Sequence, residues 1–477
     1  MRGAIVQDQT DVLLLQDLRG PGDRHASRPG FISSILTIAG GQLGCIALAA
    51  LTELCFARML GPAPRGLISL CMMSIAFGCM VGSLGSEATV VVWISRFREN
   101  HSAWFPAVVL WVVTGCVLAV FAWAVLYWKF HPSFLKGLTP RLALLVVPSI
   151  PAWVLFSVLM AMLVGEERFR LRSVIALINR VASLLAFLIC VPLFGRRAET
   201  AIVGNLAGLI VGAGLAWASL RHFFRGAWRI QGAQQQLIPT VVFGIRGQAG
   251  ALASFFSYRL DVFVVNYFLD ASQVGLYALG VIVSETLWQL PAIVALALFP
   301  RTARTVGAGA EEFTCLILRQ VSLMTTVAAL VVAAASPFAI PLIFGARFAP
   351  SVPVIWWILP GTVALSLGKV ISADLTARGL NIHLPISALI GLVLTLILDF
   401  VLIPRMGIQG AALASSVAYL GAAMYLFVVI RRALKVSWRS LLVPSLAELL
   451  AQRKLWGLAL ARLRTVSAVS STSSPSE

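Results

Sequence analysis

The sequence predicts an all-α membrane protein of about twelve transmembrane helices, in two six-helix bundles related by a parallel pseudo-two-fold repeat. Three observations predict it. Of 477 residues, 59% are hydrophobic and only 12% charged, roughly half the charged share of a soluble domain. Apolar runs long enough to cross a ~30 Å hydrocarbon core recur along nearly the whole chain. These runs lack the period-2 alternation of barrel strands, and in lipid only helices and closed barrels satisfy their own backbone. Finally, the turn Leu60-Gly61-Pro62-Ala63-Pro64-Arg65-Gly66 matches Leu269-Asp270-Ala271-Ser272-Gln273-Val274-Gly275 at a constant offset of 209, and Pro192 and Gly195 match Pro404 and Gly407 at an offset of 212. Units with an even number of helices enter the membrane in the same orientation, which makes the repeat parallel.

The elements follow in order. Residues 1–30 balance four arginines against four aspartates. They lack a basic stretch followed by a short apolar core and a cleavage site, so a cytoplasmic, disordered N-terminus is expected in place of a cleaved signal. The N-terminal bundle is expected over 31–222, with helices at 31–58, 66–94, 104–128, 141–164, 172–194 and 199–220. A basic, Gln-rich cytoplasmic linker (223–237) precedes the C-terminal bundle at 238–435. Its helices are expected at 238–268, 273–299, 315–344, 351–377, 384–403 and 408–431. Residues 436–477 read as an amphipathic segment on the cytoplasmic interface, carrying Trp438, Trp456, Arg453 and Lys454, and then a disordered Ser/Thr-rich tail. No connection is long enough for a soluble catalytic domain.

The net charge of +18 on a soluble chain would point to nucleic acid. Here the basic residues sit in short loops and the C-terminal tail, where they set topology and meet anionic membrane lipids; no nucleic-acid partner is expected. With the N-terminus inside, cytoplasmic segments hold about 23 Lys and Arg and external loops about 9, placing both termini in the cytoplasm. The seven cysteines lie in or beside apolar segments without a CxxC pair, so neither a disulfide framework nor a metal site is expected.

Ionisable groups at membrane depth are costly and therefore candidates for function. The basic set is Arg180, Arg246, Arg259, Arg319 and Lys369; the acidic set is Glu53, Glu87, Asp261, Glu285, Asp374 and Asp399. Arg180, Arg246 and Lys369 fall in the inner third of the membrane with the shallower Arg319, as a basic cavity suited to an anionic headgroup would require. The alternative is that these long side chains snorkel to the interface. Arg259 and Asp261 are two residues apart and face different ways on a helix; Glu285 on the next helix is the partner expected for Arg259. Glu53, Asp261 and Glu285 are candidates for binding a coupling ion, with a structural ion pair as the competing reading. Asp374 and Arg378 read as a surface pair near a helix end. Pro148 and Pro151, Pro291, and Pro360-Gly361 are expected to interrupt their helices, as in many cavity-lining segments. The five histidines lie near loops, at helix ends or in the N-terminal tail, and no HExxH or Gly-rich phosphate loop is present. No enzyme activity and no cofactor are expected.

Several stretches resemble a known family. They are Tyr258-Arg259-Leu260-Asp261-Val262-Phe263-Val264-Val265-Asn266-Tyr267-Phe268-Leu269, Val274-Gly275-Leu276-Tyr277-Ala278 and Leu298-Phe299-Pro300. With them go Leu342-Ile343-Phe344-Gly345-Ala346-Arg347-Phe348, Leu359-Pro360-Gly361, Ile403-Pro404-Arg405-Met406-Gly407-Ile408-Gln409-Gly410-Ala411-Ala412, and the early Ala57-Arg58-Met59-Leu60-Gly61 followed by Gly66. The ordered set, over roughly 31–435, resembles the polysaccharide-type (O-antigen and exopolysaccharide) flippases of the multidrug/oligosaccharidyl-lipid/polysaccharide exporter superfamily. That resemblance implies two six-helix bundles around a central cavity and alternating access, often driven by a proton or sodium gradient. It implies a substrate of oligosaccharide linked to undecaprenyl pyrophosphate, moved from the inner to the outer leaflet of a bacterial inner membrane. Basic cavity residues (here Arg180, Arg246, Lys369 and Arg259) would engage the diphosphate. A polysaccharide polymerase and glycosyltransferases are the protein partners such a role implies. The nearest alternative is a cation-coupled multidrug exporter of the same superfamily, in which acidic cavity groups should dominate.

Overall fold

The computed structural model describes residues 31–96, 101–131, 133–224, 233–304, 308–437 and 441. The expected N-terminal segment and the tail beyond 441 lie outside the described residues. Fourteen α-helices and one 3-10 turn make up the described chain: α1 Phe31–Leu60, α2 Pro62–Ser83, α3 Ser86–Arg96, α4 His101–Phe130, α5 Pro140–Gly165, α6 Phe169–Phe194, α7 Ala198–Ser219, the short α8 Arg221–Phe224, α9 Ala233–Phe268, α10 Ala271–Arg304, α11 Ala308–Phe344, α12 Ser351–Ala377, α13 His383–Met406 and α14 Ile408–Leu434. Ten are long and apolar enough to span a bilayer: α1, α2, α4–α7 and α11–α14. Among the described residues, α9 and α10 are not in the ten. The chain is a multi-pass, all-helical membrane protein.

Local sequence sets the helix ends. Pro140 opens α5 at a position that needs no N–H, and Thr139 Oγ1 accepts from Leu142 N at 3.3 Å, satisfying one orphan donor of the first turn. Arg431 and Arg432 sit in the last turn of α14, where cations complement the helix dipole. On α4, Leu110, Val113, Val117, Phe121, Val125 and Trp128 form an exposed stripe at helical spacing. In water that stripe would be costly; in lipid it is the outer wall.

The packing pattern repeats between the halves. In the first, α1 packs on α6, α2 and α7 each pack on α5, and α6 packs on α7; in the second, α9 packs on α13, α10 and α14 on α12, and α13 on α14. The halves meet where α2 crosses α10. A Cβ on Gly66 would lie 1.7 Å from Ala271 O, and one on Gly275 would lie 2.0 Å from Pro62 O. Pro62 and Ala271, like Gly66 and Gly275, are 209 residues apart, so this contact is reciprocal under the repeat read from the sequence. A second reciprocal contact flanks it. Arg58 at the end of α1 donates through Nε to Ile343 O at 2.6 Å and through Nη2 to Leu342 O. In the other half Asn266 Nδ2 donates to Phe134 O at 2.9 Å, and Lys136 Nζ to Tyr267 O at 2.6 Å. Small residues and capped carbonyls thus latch the halves at the end that carries the α1–α2 turn.

Three expectations need correction. The helix expected over 66–94 is broken: Leu84 and Gly85 take positive φ (44° and 82°), ending α2 and restarting the chain as α3. The break sits against α9, where a Cβ on Gly85 would meet Gly244 O at 2.1 Å and Gln248 Nε2 donates to Met80 O at 3.1 Å. The prolines interrupt less than expected. α5 runs through Pro148 and Pro151, α10 through Pro291 and α12 through Pro360; beside Pro360, Gly361 N finds its acceptor outside the helix, donating to Ser416 Oγ on α14 at 2.8 Å. The Asp374–Arg378 pair exists at 2.6 Å, but Asp374 is wholly buried and also accepts from Thr314 Oγ1 at 2.8 Å. It joins α12 to α11 inside the bundle and is not a surface pair.

Candidate functional site

Among the described residues, most of the charged groups at membrane depth fall into three groups, and Arg180 and Lys369 lie in different ones. The first lies between α9, α10, α12 and α14. Arg259 on α9 pairs with Glu285 on α10 at 2.8 Å, the partner expected from spacing. Lys369 on α12 reaches over the Trp288 ring, its Nζ 4.4 Å from the centroid, with the Tyr258 ring 5.6 Å away. Tyr258 packs edge-on against both Trp288 and Tyr419, at 5.4 and 5.6 Å. Cation–π contact holds the ammonium where burial would otherwise penalise it. Glu285 Oε1 is enclosed without a hydrogen-bond partner, as is the Tyr419 hydroxyl. The site therefore has spare acceptor and donor capacity beside two cations.

The second group is two residues further along α9, on a different face. Asp261 is fully buried. Its Oδ2 accepts from the Tyr277 hydroxyl and from Ser415 Oγ (3.2 Å), and its Oδ1 from Val262 N at 2.8 Å. Asp399 on α13 is also fully buried, close enough to Asp261 to interact electrostatically, and neither of its oxygens has a hydrogen-bond partner. A buried ionised carboxylate left unpaired costs several kcal/mol and is relieved by a proton or a bound cation. Sequence reasoning placed Asp399 in the acidic set without singling it out; nothing in the linear sequence shows that it converges on Asp261. Among the described residues no group of three or more His, Cys, Asp or Glu forms a metal-type cluster.

The third group is in the first half. Arg180 is exposed and lines a cavity of about 490 Å³ bounded by α1, α3, α5 and α6, with Arg172, Glu87, Asn179, Gln42 and Trp153. Glycines bring the walls together: a Cβ on Gly41 would meet Ser173 Cβ at 2.6 Å, and one on Gly208 would meet Asn179 O at 2.6 Å. Gly204, Gly208 and Gly212 form a four-residue-spaced stripe on α7, the spacing that lets membrane helices approach closely.

The remaining candidates fall elsewhere. Glu53 pairs with Arg65 of α2 at 2.8 Å, and Arg65 is only 2% exposed; it also donates to Ser69 Oγ. Glu53 is thus held in an ion pair across the α1–α2 turn, the structural alternative to binding a coupling ion. Arg65, the most deeply buried cation described, appeared in the sequence only as part of a turn. Arg319 donates to Cys315 O one turn back at 3.3 Å. Arg246 stands on α9, but its side chain lies outside the described residues.

A family profile described as "Polysaccharide biosynthesis protein" matches residues 55–353. No curated protein matches the sequence significantly. Among solved structures, the chain is similar to the lipid II flippase MurJ in an inward closed conformation, with TM-score 0.64 and 16% identity over 83% of this chain and 87% of that one. It is also similar to an inward-facing multidrug resistance MATE transporter of the MOP superfamily (TM-score 0.58, 12% identity, 82% of this chain and 94% of that one). A Vibrio cholerae MATE transporter gives TM-score 0.56 and 16% identity over 86% of this chain and 97% of that one. At these identities the likeness shows the fold. The chain belongs to the polysaccharide biosynthesis protein family and has the fold of MOP-superfamily transporters.

Proposed function

We propose that this protein is a flippase that moves oligosaccharide linked to undecaprenyl pyrophosphate from the inner to the outer leaflet of a bacterial inner membrane. Both termini face the cytoplasm in this reading, as the distribution of Lys and Arg favours. The observation that carries the proposal is the cationic lining at membrane depth in a polysaccharide biosynthesis protein. Lys369 and Arg259 stand beside unpaired acceptor and donor groups, and Arg180 lines a cavity. A diphosphate is the anionic headgroup such groups suit. Asp261 and Asp399 are the groups assigned to a coupling proton or monovalent cation, with Glu285 answering to Arg259. The residues 31–222 and 238–435 act as two bundles that rock about the α2–α10 contact, with the alternating access that MOP-type folds support. In the cell, glycosyltransferases would act before this step and a polysaccharide polymerase after it.

The second reading is a cation-coupled multidrug exporter, favoured by the buried carboxylates Asp261 and Asp399 and by the likeness to MATE structures. Substitution of the cations tests the first reading. Arg180→Ala, Arg246→Ala and Lys369→Ala, alone and combined, should impair polysaccharide export while leaving membrane insertion intact. Normal export by the triple variant would remove the cationic lining from the account.

A further inference from the structure

We infer that the first half carries a resident lipid at its latched end: arginines of α5 and of the turn before α7 hold the phosphate of one anionic glycerophospholipid, and a groove between α5, α6 and α7 takes its acyl chain. This lipid is not the cargo, and its arginines lie apart from the cationic lining assigned above to transport. Two cavities adjoin at this end. One, of about 570 Å³, is a recess lined by Arg141, Arg196 and Arg197 beside Pro64 of α2. The other, of about 510 Å³, runs along the bundle between Leu144, Leu145, Phe194 and Val203. Arg141, Arg197 and Glu199 line both, so the charges stand at the mouth of an apolar groove. Leu145 is four residues along α5 from Arg141, about 6 Å deeper into the bilayer. Charge at the helix ends with hydrocarbon one turn below is the order of a phospholipid passing from headgroup to tail. A soluble anion would leave the second cavity unused. Leu144 and Phe194 are each 68% exposed, so the groove is open to the surrounding lipid.

The charge balance selects the headgroup. Arg141, Arg196 and Arg197 are exposed, and among the described residues neither they nor Glu199 make an ion pair. Three cations against one anion leave the recess net positive. With the termini inside, this end is the outer one, where Lys and Arg are disfavoured; three arginines gathered on one recess without a protein partner therefore suit a lipid one. The planar guanidinium fork matches a phosphodiester, and the arginine stems can lie along the apolar wall.

The full chain, purified in detergent, is mixed with phosphatidylglycerol, with phosphatidylcholine of the same acyl chains, or with inorganic phosphate. Bound lipid is counted by native mass spectrometry and stability is read as the melting temperature. One phosphatidylglycerol should stay bound at collision energies that strip the rest, and should raise the melting temperature by several degrees. Phosphatidylcholine and inorganic phosphate should do neither. Arg141→Gln combined with Arg197→Gln should lose both effects yet melt at the wild-type temperature without added lipid, because these side chains are exposed and unpaired. Arg347→Gln combined with Arg405→Gln removes the same charge from exposed positions in the second half and should keep both effects. Loss in both double variants would mean diffuse attraction and no site. Stabilisation by inorganic phosphate alone would mean an anion site without a tail. Displacement by equimolar undecaprenyl phosphate would make the occupant a carrier lipid. Each of these outcomes overturns the proposal, as does retention of phosphatidylglycerol by the first double variant.

Discussion

Asp399 and Glu53 are both acids at membrane depth, and their surroundings differ. Glu53 is neutralised by Arg65 at 2.8 Å. Removing its charge strands a buried guanidinium, a change that costs about 3–5 kcal/mol when one partner of a buried pair is lost. Glu53→Gln should therefore lower the melting temperature in detergent markedly. Asp399 has no protein partner for either oxygen, so Asp399→Asn removes a liability in the resting protein. It should leave the melting temperature unchanged or raised while abolishing ion-driven transport. Equal destabilisation by the two variants would show that Asp399 is structural. Part of this was legible in the sequence. Glu285 was identified as the partner of Arg259 because adjacent antiparallel helices bring residues of similar depth together. Arg65 was not, because its role depends on how sharply the Gly61–Pro62 turn folds α2 back onto α1.

Among the elements, α2 and α10 carry the most consequential contact. Any side chain at Gly66 or Gly275 would push one backbone off the other. Gly66→Ala and Gly275→Ala should each destabilise by about 1–3 kcal/mol, the usual cost of overpacking. The double variant should cost less than the sum, since one displacement relieves both clashes; strict additivity in thermal denaturation would contradict a shared contact. Ser416→Ala should cost about 1–3 kcal/mol by leaving Gly361 N–H unsatisfied, and Pro360→Ala should recover much of it by restoring the bond within α12. The element order and the repeat offset were legible because apolar windows and turn residues are local signals. The break at Leu84–Gly85 was not. Glycine is tolerated inside membrane helices, so Gly82-Ser83-Leu84-Gly85 reads as continuous until α9 presses against it. The proline sites misled in the other direction, since the hydroxyl that absorbs the Pro360 kink lies on another helix.

At the scale of the molecule, the latch made by Arg58, Asn266 and Lys136 closes one end, and movement between the halves must break it. Arg58→Ala with Asn266→Ala should shift the population toward the form opened at that end, read as greater access of water-soluble thiol reagents to a reporter introduced as Leu60→Cys beside the latch. Unchanged access would mean that the α2–α10 contact alone holds the end shut. A flippase that carries a lipid-linked glycan across the membrane is revealed by where lipid-linked intermediates collect in a strain that lacks it. They should accumulate on the cytoplasmic face, with surface polysaccharide lost and both reversed by the wild-type copy. Unchanged intermediates together with new sensitivity to cationic drugs would contradict it and identify a multidrug exporter instead.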